Sequence, residues 1–436
     1  MKLPQEIRNC IDRLEAAGFS AYAVGGCVRD ALLGIEPHDY DLCTSASPEQ
    51  LQQVFSDHKL VLAGTKHGTV GVITNGGVVE ITTYRTEGSY SDARHPDWVA
   101  FVDKIEPDLA RRDFTVNAMA YSPTRGFADP FGGREDLKNG ILRCVGEPTA
   151  RFREDALRIL RGVRFAARFD LDVEAHTAQA MEELADLLDE LARERVFDEL
   201  CKLILLADAE DLLRFAPVII RAIPELRPAV GFCQFSPHHA YDVYTHTAHV
   251  VEAVPKTLAL RWAALLHDVG KIPTFTRDES GRGHFYGHAQ QSAAMAERIL
   301  RRLKAPNALR EQVVLLISQH MTPLTAERKL LRRRVSRYGM DTVRQLLALQ
   351  RADFSSKGVT GDCADFDEIT AVLDVLEAEA ACLNLKDLAV DGNDLMALGF
   401  RGKAIGSTLN RLLELVLDEQ LPNERAALLE AAKLEN

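Results

Sequence analysis

A small α/β head followed by helices to the end of the chain is the fold class this sequence predicts, and three observations predict it. Up to about residue 146, short β-branched runs alternate with glycine-bearing turns. From about residue 147 strand signals fade and helical periodicity takes over, as in Leu184, Leu187, Leu188 and Leu191 at i, i+3, i+4 and i+7. At 436 residues, with 46% hydrophobic and 27% charged residues, the chain has ordinary globular composition and room for two to four domains.

The elements of the head follow in order. Ser20–Val24 reads as a short strand, Gly25 and Gly26 as a turn, and Val28–Leu33 as the opening of a helix. Two glycines at such a turn let backbone N–H groups approach an anion closely, with Arg29 facing the same point. Asp39-Tyr40-Asp41-Leu42 reads as extended chain, and the strand period of two sends both carboxylates to one face, roughly 6 to 7 Å apart along the backbone. Lys59–Leu62, Gly68–Ile73 and Val78–Tyr84 are further strands, the last two joined by the hairpin signal Asn75-Gly76-Gly77.

Alone, a Gly-Gly turn or an Asp-x-Asp is an ordinary turn or a solvated strand end. In this order and separation they join an anion cradle to a paired carboxylate able to grip two Mg²⁺ ions about 3.5 to 4 Å apart. That chemistry points to nucleotidyl transfer, with Asp39 and Asp41 as the expected metal ligands and catalytic groups. Glu80 is the right type for a third acidic contribution, but an outward, solvated glutamate is the simpler reading of its strand.

A net charge of −12 opposes a nucleic-acid partner unless basic residues are concentrated locally. They are concentrated twice. Arg151 to Arg168 holds six arginines, and Arg328 to Arg337 holds six basic residues in ten. For the second cluster a solvated helix face and a nucleic-acid contact are equally good readings. The eight cysteines form no Cys-x-x-Cys pair, which argues against a zinc ribbon or disulfide framework. The first residues lack an apolar leader and no run of eighteen apolar residues occurs, so a cytoplasmic, membrane-free protein is expected.

Glu154 to Arg168 reads as one helix, with Leu157, Leu160, Val163 and Ala167 on one stripe and Arg158, Arg161, Arg164 and Arg168 beside it. Asp155 and Arg158 are three apart, so on one helix their side chains would meet. A surface ion pair is the plain interpretation. The alternative is a base reader: a carboxylate accepting from an exocyclic amine beside a guanidinium donating to a ring nitrogen suits cytosine and adenine and rejects uracil and guanine. Arg161 and Arg164 would then remain free for phosphates.

These residues carry a resemblance. The chain is similar to the class II CCA-adding tRNA nucleotidyltransferases over most of its length. It carries Gly-Gly-x-Val-Arg-Asp with Asp-x-Asp, then Arg111-Arg112-Asp113-Phe114-Thr115-Val116-Asn117, then Asp129-Pro130-Phe131-Gly132-Gly133 with Asp136-Leu137. Glu154-Asp155-x-x-Arg158 and Arg193-Glu194-Arg195-Val196-Phe197-Asp198-Glu199-Leu200 follow. The resemblance implies template-independent addition of C, C and A to tRNA from CTP and ATP. It implies Gly26, Arg29, Arg112, Asp155, Arg158, Arg161 and Arg164 as nucleotide contacts, Asp39 and Asp41 as Mg²⁺ ligands, and Asp113 and Asn117 as ribose or structural partners. Bacterial poly(A) polymerases share this head, but Gly64–Val70 resembles the CCA-adding version of the second strand. Relatives that add only C have lost part of the loop before Arg-Arg-Asp, whereas Arg85 to Asp97 is intact here, so the terminal A step is expected and an A-only specialist stays open.

A second constellation lies further on. His246 is followed by His267-Asp268 after an apolar run, and Asp353 closes the set. Imidazole and carboxylate ligands suit a divalent cation such as Mn²⁺, Ni²⁺, Mg²⁺ or Fe²⁺. The pattern resembles the HD phosphohydrolases, implying His246, His267, Asp268 and Asp353 as ligands and hydrolysis of 2′,3′-cyclic or 2′-phosphates at tRNA ends. His288 and His320 recur nearby and open the way to a dinuclear site, although His320 reads more simply as a core histidine. The expected organisation is a nucleotidyltransferase head at 1–146, a helical neck and body at 147–235, an HD domain at 236–365 and a tRNA-binding helical tail at 366–436.

Overall fold

The computed structural model describes residues 1–88, 98–237, 239–358, 364–379 and 381–434. The chain forms two compact units, residues 1–207 with 214–224, and 208–213 with 225–436. Part of the loop from Arg85 to Asp97, and Cys363, lie outside the described residues.

The first unit opens with α1 (Gln5–Ala16), β1 (Ala21–Val24), α2 (Gly26–Leu32), β2 (Leu42–Thr44), α3 (Pro48–Val54), β3 (Leu60–Val61), β4 (Thr69–Thr74) and β5 (Gly77–Thr83). It continues through β6 (Arg85–Glu87), β7 (Val99–Phe101), α4 (Ile105–Ala110), β8 (Ala120–Ser122) and β9 (Gly126–Ala128). Seven of these strands make one mixed sheet, in the order β3-β4-β5-β2-β1-β8-β9, in which only β2 and β5 run parallel. The sheet buries one face because β5 alternates: Val79, Ile81 and Thr83 point inward while Glu80 points out. Helix α3 begins where Ser47 and Gln50 form a capping box with Pro48 in the first turn.

Beyond the sheet come α5 (Gly133–Lys138), β10 (Ile141–Leu142), α6 (Pro148–Glu154), α7 (Leu157–Phe169), β11 (Asp172–Val173), α8 (Ala175–Glu183) and α9 (Arg193–Leu206), then α10 (Ala209–Arg214), nearly all of which belongs to the second unit, and α11 (Ala216–Ala222). Two expectations are corrected here. Leu184, Leu188 and Leu191 are buried and Leu187 is half-buried, but Ala185–Glu190 is a 3₁₀ helix and Leu191 is extended, so the i+3 spacing there belongs to a three-residue turn. The long arginine helix is likewise two helices, broken at Asp155, whose backbone is extended (φ −147°, ψ 101°).

The second unit is helical: α12 (Val243–Ala253), α13 (Leu258–Leu266), the small hairpin β12 (Thr276–Arg277) and β13 (Gly283–His284), α14 (His288–Arg302), α15 (Asn307–Gln319), α16 (Arg328–Tyr338) and α17 (Met340–Ser355). It ends with α18 (Ala364–Ala378), α19 (Gly392–Ala397), α20 (Lys403–Leu417) and α21 (Arg425–Lys433). Leu331, Val335, Leu373, Leu395, Leu412, Val416 and Leu428 make one core across α16 to α21. Asp391 caps α19 and exchanges a capping box with Asp394.

The basic helix α16 is largely satisfied within the fold. Arg328 pairs with Glu379 and Glu419, Arg332 with Glu419, Arg333 with Glu414 and Asp418, and Lys329 with Asp418. Of the seven described cysteines six are buried, Cys233 is exposed, and all are free thiols. Among the described residues no helix is long and apolar enough to cross a membrane.

Candidate active site and metal centre

Strand β1 ends in Gly25, whose φ of +77° favours glycine; a Cβ there would also meet Nη1 of Arg112 at 2.8 Å. Gly25→Ala is therefore expected to displace Arg112 and weaken nucleotide binding at least tenfold, measured by titration with CTP.

Around this turn lies a cleft of about 440 Å³ lined by Gly25, Gly26, Arg29, Asp41, Arg112, Asp113, Asn117, Asp155, Arg158 and Arg161, among others. A second cleft of about 740 Å³ is lined by Asp39, Asp41 and Glu80, with Gly76 and Gly77 of the β-hairpin. Asp41 lines both. Asp39 and Asp41 precede β2 rather than lying in it, yet the ladder extends to Asp41, because the Val24 N–H donates to the Asp41 carbonyl at 3.0 Å.

Glu80 belongs with this pair, contrary to the solvated reading. The parallel register Leu42↔Ile81 sets Glu80 beside Asp41, and although Glu80 is exposed it shares the cleft wall with both aspartates. Loss of hydration raises the Asp41 carboxyl above its ordinary value, Arg112 opposes this, and the Glu80 and Asp39 carboxylates add to it. Three carboxylates gathered on one cleft wall fit an oxygen-ligated divalent cation such as Mg²⁺. The β2–β5 pairing that makes Glu80 visible is non-local, so no sequence window showed it.

The arginines are more engaged than expected. Arg29 is buried, its guanidinium donating to Asp30 at 2.6 and 2.8 Å and to the Asn117 amide oxygen, and lying 4.3 Å above the Phe169 ring. Asn117 in turn donates to Asp113 at 3.0 Å, and Arg161 donates twice to the other Asp113 oxygen, at 2.7 and 2.9 Å. Burial alone would raise the Asp113 carboxyl; Arg161 and the Asn117 amide outweigh it and bring it down to about 2. Asp113 and Asn117 thus act as a strut from α7 to α2 beneath the cleft.

Asp155 and Arg158 both line the cleft, but not as a pair on one helix turn. The Asp155 carboxylate accepts from Arg195 at 2.8 Å and from the Leu157 N–H at 3.1 Å. Arg158 donates to Glu154 at 2.6 Å and to the Arg111 carbonyl at 3.1 Å. Arg195, from α9, is a cleft residue that sequence reasoning placed in a motif without a role.

Arg164 is not free for phosphate. It is buried, forms a 2.6 Å ion pair with Glu199 and stacks 4.3 Å from Phe165, and it does not line the cleft. Glu199→Gln removes the counter-charge of this buried arginine and is expected to lower stability by about 3 kcal/mol, read as a lower denaturation midpoint.

In the second unit His246 (α12), His267 and Asp268 (after α13), His288 (α14), His320 (after α15) and Asp353 (α17) converge. His246 Nε2 is 3.0 Å from Asp353 Oδ1 and 3.6 Å from Asp268 Oδ2; His267 Nε2 is 3.2 Å from Asp268 Oδ2; His288 Nε2 is 3.4 Å from Asp268 Oδ1. All four histidines engage a backbone carbonyl through Nδ1: Ser356, Ala264, Phe285 and Ile317 respectively, at 2.6 to 3.1 Å. Each Nε2 therefore faces the cluster, the arrangement that orients metal-binding imidazoles. His267 and His320 leave Nε2 buried without a hydrogen-bond partner, which fits a cation in that position. Two ligand groups share Asp268: His246 with His267, and His288 with His320. His320 is thus part of the cluster, not a plain core histidine, and burial brings its imidazole down to about 4. Mixed nitrogen and oxygen donors suit Mn²⁺, Fe²⁺ or Ni²⁺.

Comparison with known proteins bears on the whole chain. Residues 21–143 match the family described as Poly A polymerase head domain, and residues 275–432 that described as tRNA nucleotidyltransferase domain 2. The CCA-adding enzyme of Streptococcus thermophilus is 33% identical over 432 residues, covering 98% of this chain and 96% of that one. That of Streptococcus mutans is 34% identical over 435 residues, covering 99% and 97%. The crystal structure of the Bacillus stearothermophilus CCA-adding enzyme in complex with CTP superposes with a TM-score of 0.73 at 28% identity, covering 100% of this chain and 98% of that one. With its mixed-sheet head, helical body and full-length identity to these relatives, the chain belongs to the CCA-adding enzyme family of nucleotidyltransferases.

Proposed function

We propose that this protein adds and repairs the 3′-terminal CCA of tRNA from CTP and ATP, without a template, by two-metal nucleotidyl transfer. The observation that carries the reading is Asp41, which lines both the arginine-rich cleft and the cleft holding Asp39 and Glu80. A triphosphate in the first cleft meets the second, where a terminal hydroxyl enters, at that one side chain.

The residues divide the work. Gly25 and Gly26 let the backbone approach the phosphates, and Arg112 offsets their charge, with Arg161 held by Asp113 at the cleft wall. Asp155 and Arg158 read the amine and ring nitrogen of cytosine or adenine, exchanging Arg195 and Glu154 for the base edge. Asp39 and Asp41, with Glu80 beside them, would hold divalent cations whose chemistry is to acidify the attacking hydroxyl and offset charge on pyrophosphate.

The second unit carries a separate activity in this proposal: an HD phosphohydrolase that clears 2′,3′-cyclic phosphates or 2′-phosphates from tRNA ends. His246, His267, Asp268 and Asp353, joined by His288 and His320, would hold one or two cations that supply an ionised water. The division is then head 1–146, neck and body 147–235, hydrolase 236–365 and tRNA-gripping tail 366–436. Free, mostly buried thiols suit a cytoplasmic setting.

Incubating tRNA that lacks its 3′ end with each nucleotide singly and together, then sequencing the products, tests the first activity. CTP alone should add two residues and the mixture three. An unbounded A tail, addition of A only, or no extension would each overturn it.

A further inference from the structure

The cleft outside the histidine cluster, about 240 Å³, has two kinds of lining. Asp268, His288 and Asp353 lie at its floor with Lys271 and Lys357. At its rim stand Tyr286 and Met321, 77% and 54% exposed, the most exposed aromatic residue and the most exposed methionine in this lining. A tyrosine this exposed contributes little to the core, so core packing does not account for its position.

Its position is nevertheless built. The hairpin of β12 and β13 turns at Asp278, which accepts the N–H of Ser280 and of Arg282 and binds Nε2 of His284 at 2.8 Å. The His284 ring lies parallel to Tyr286, with centroids 5.3 Å apart and planes 7° off, and its Nδ1 is 3.3 Å from the Tyr286 hydroxyl. One face of Tyr286 is therefore held by a fixed imidazole and the other is open to solvent.

On the reading of this unit as a phosphohydrolase, we infer that Tyr286 is the stacking platform for the base of the nucleotide whose phosphate enters the cluster. The phosphate faces the cluster and Lys271 and Lys357, while the base of the same nucleotide lies on the open face of Tyr286 beside the Met321 thioether. Aromatic stacking of this type tolerates any base, so the site reads the presence of a base and not its identity.

The test uses the full chain with Asp41→Asn and Arg112→Ala, which silence the head cleft, loaded with Mn²⁺. It is titrated with 2-aminopurine riboside 3′-monophosphate, followed by fluorescence, and with inorganic phosphate, followed by calorimetry. Binding should quench the fluorophore; Tyr286→Ala should remove the quenching and raise the nucleotide Kd about tenfold, with the phosphate Kd unchanged, and Tyr286→Phe should restore both. Equal quenching and Kd in Tyr286→Ala would overturn the stacking assignment and leave the hydrolase reading standing. Phosphate that binds no better than to the same chain carrying His267→Ala would overturn the hydrolase reading and this inference together.

Discussion

Asp41→Ala is expected to reduce nucleotide addition by at least about a thousandfold, with little loss of fold. The side chain is exposed and lies outside the regular sheet, so its removal leaves neither a cavity nor a buried orphan. What is lost is the group common to both clefts, and with it the proposed cation site, worth several kcal/mol at the transition state. CTP affinity should fall far less than turnover, because Arg112, Asp155 and Arg158 remain. Single-turnover extension of a truncated tRNA beside equilibrium CTP titration separates these effects. A variant that extends tRNA at one tenth of the native rate would remove Asp41 from the chemistry. Glu80→Gln should produce a milder loss, since the neighbouring pair is intact.

Asp268→Asn is expected to eliminate the proposed phosphohydrolase activity while CCA addition continues at the native rate. Asp268 belongs to both ligand groups, so the substitution weakens each of them at once. The near-isosteric amide keeps the shape of a buried site in which Lys271 stands 2.7 Å away. Metal content by elemental analysis should drop by one or two ions per chain relative to the native protein, and clearance of a 2′,3′-cyclic phosphate end should vanish. Unchanged clearance would reassign the cluster to a structural role.

The legible parts of this chain were those written in contiguous residues. Gly25-Gly26 at a strand end and the β4–β5 hairpin declare themselves in contiguous residues, and the structure has β1, α2, β4 and β5 within a residue or two, whereas the strand expected from Asp39 begins only at Leu42. Glu80 was not legible because its place depends on a parallel pairing between β2 and β5, distant in sequence. Asp155 and Arg158 misled for a different reason: a periodic arginine stripe reads as one helix, and nothing in the stripe reports an extended residue at Asp155 or an Arg195 partner from α9. The stripe also hid Arg164, since a buried arginine and a phosphate-facing one look alike until Glu199 is placed opposite. His320 was undervalued because a single histidine after an apolar helix carries no signal until three other helices bring their imidazoles to it.

The six basic residues of α16 bear on how RNA affinity responds to salt. A cation already neutralised by Glu379, Glu414, Asp418 or Glu419 displaces no condensed counterion when a phosphate arrives, and four of the six are in that state. Among the described residues only Arg334 and Arg337 of this helix have no ion pair. Its contribution to the slope of log Kd against log salt is therefore closer to that of two charges than of six. For the proposed work on tRNA, this helix is therefore expected to add little salt dependence, and the charge that meets RNA has to come from elsewhere in the chain.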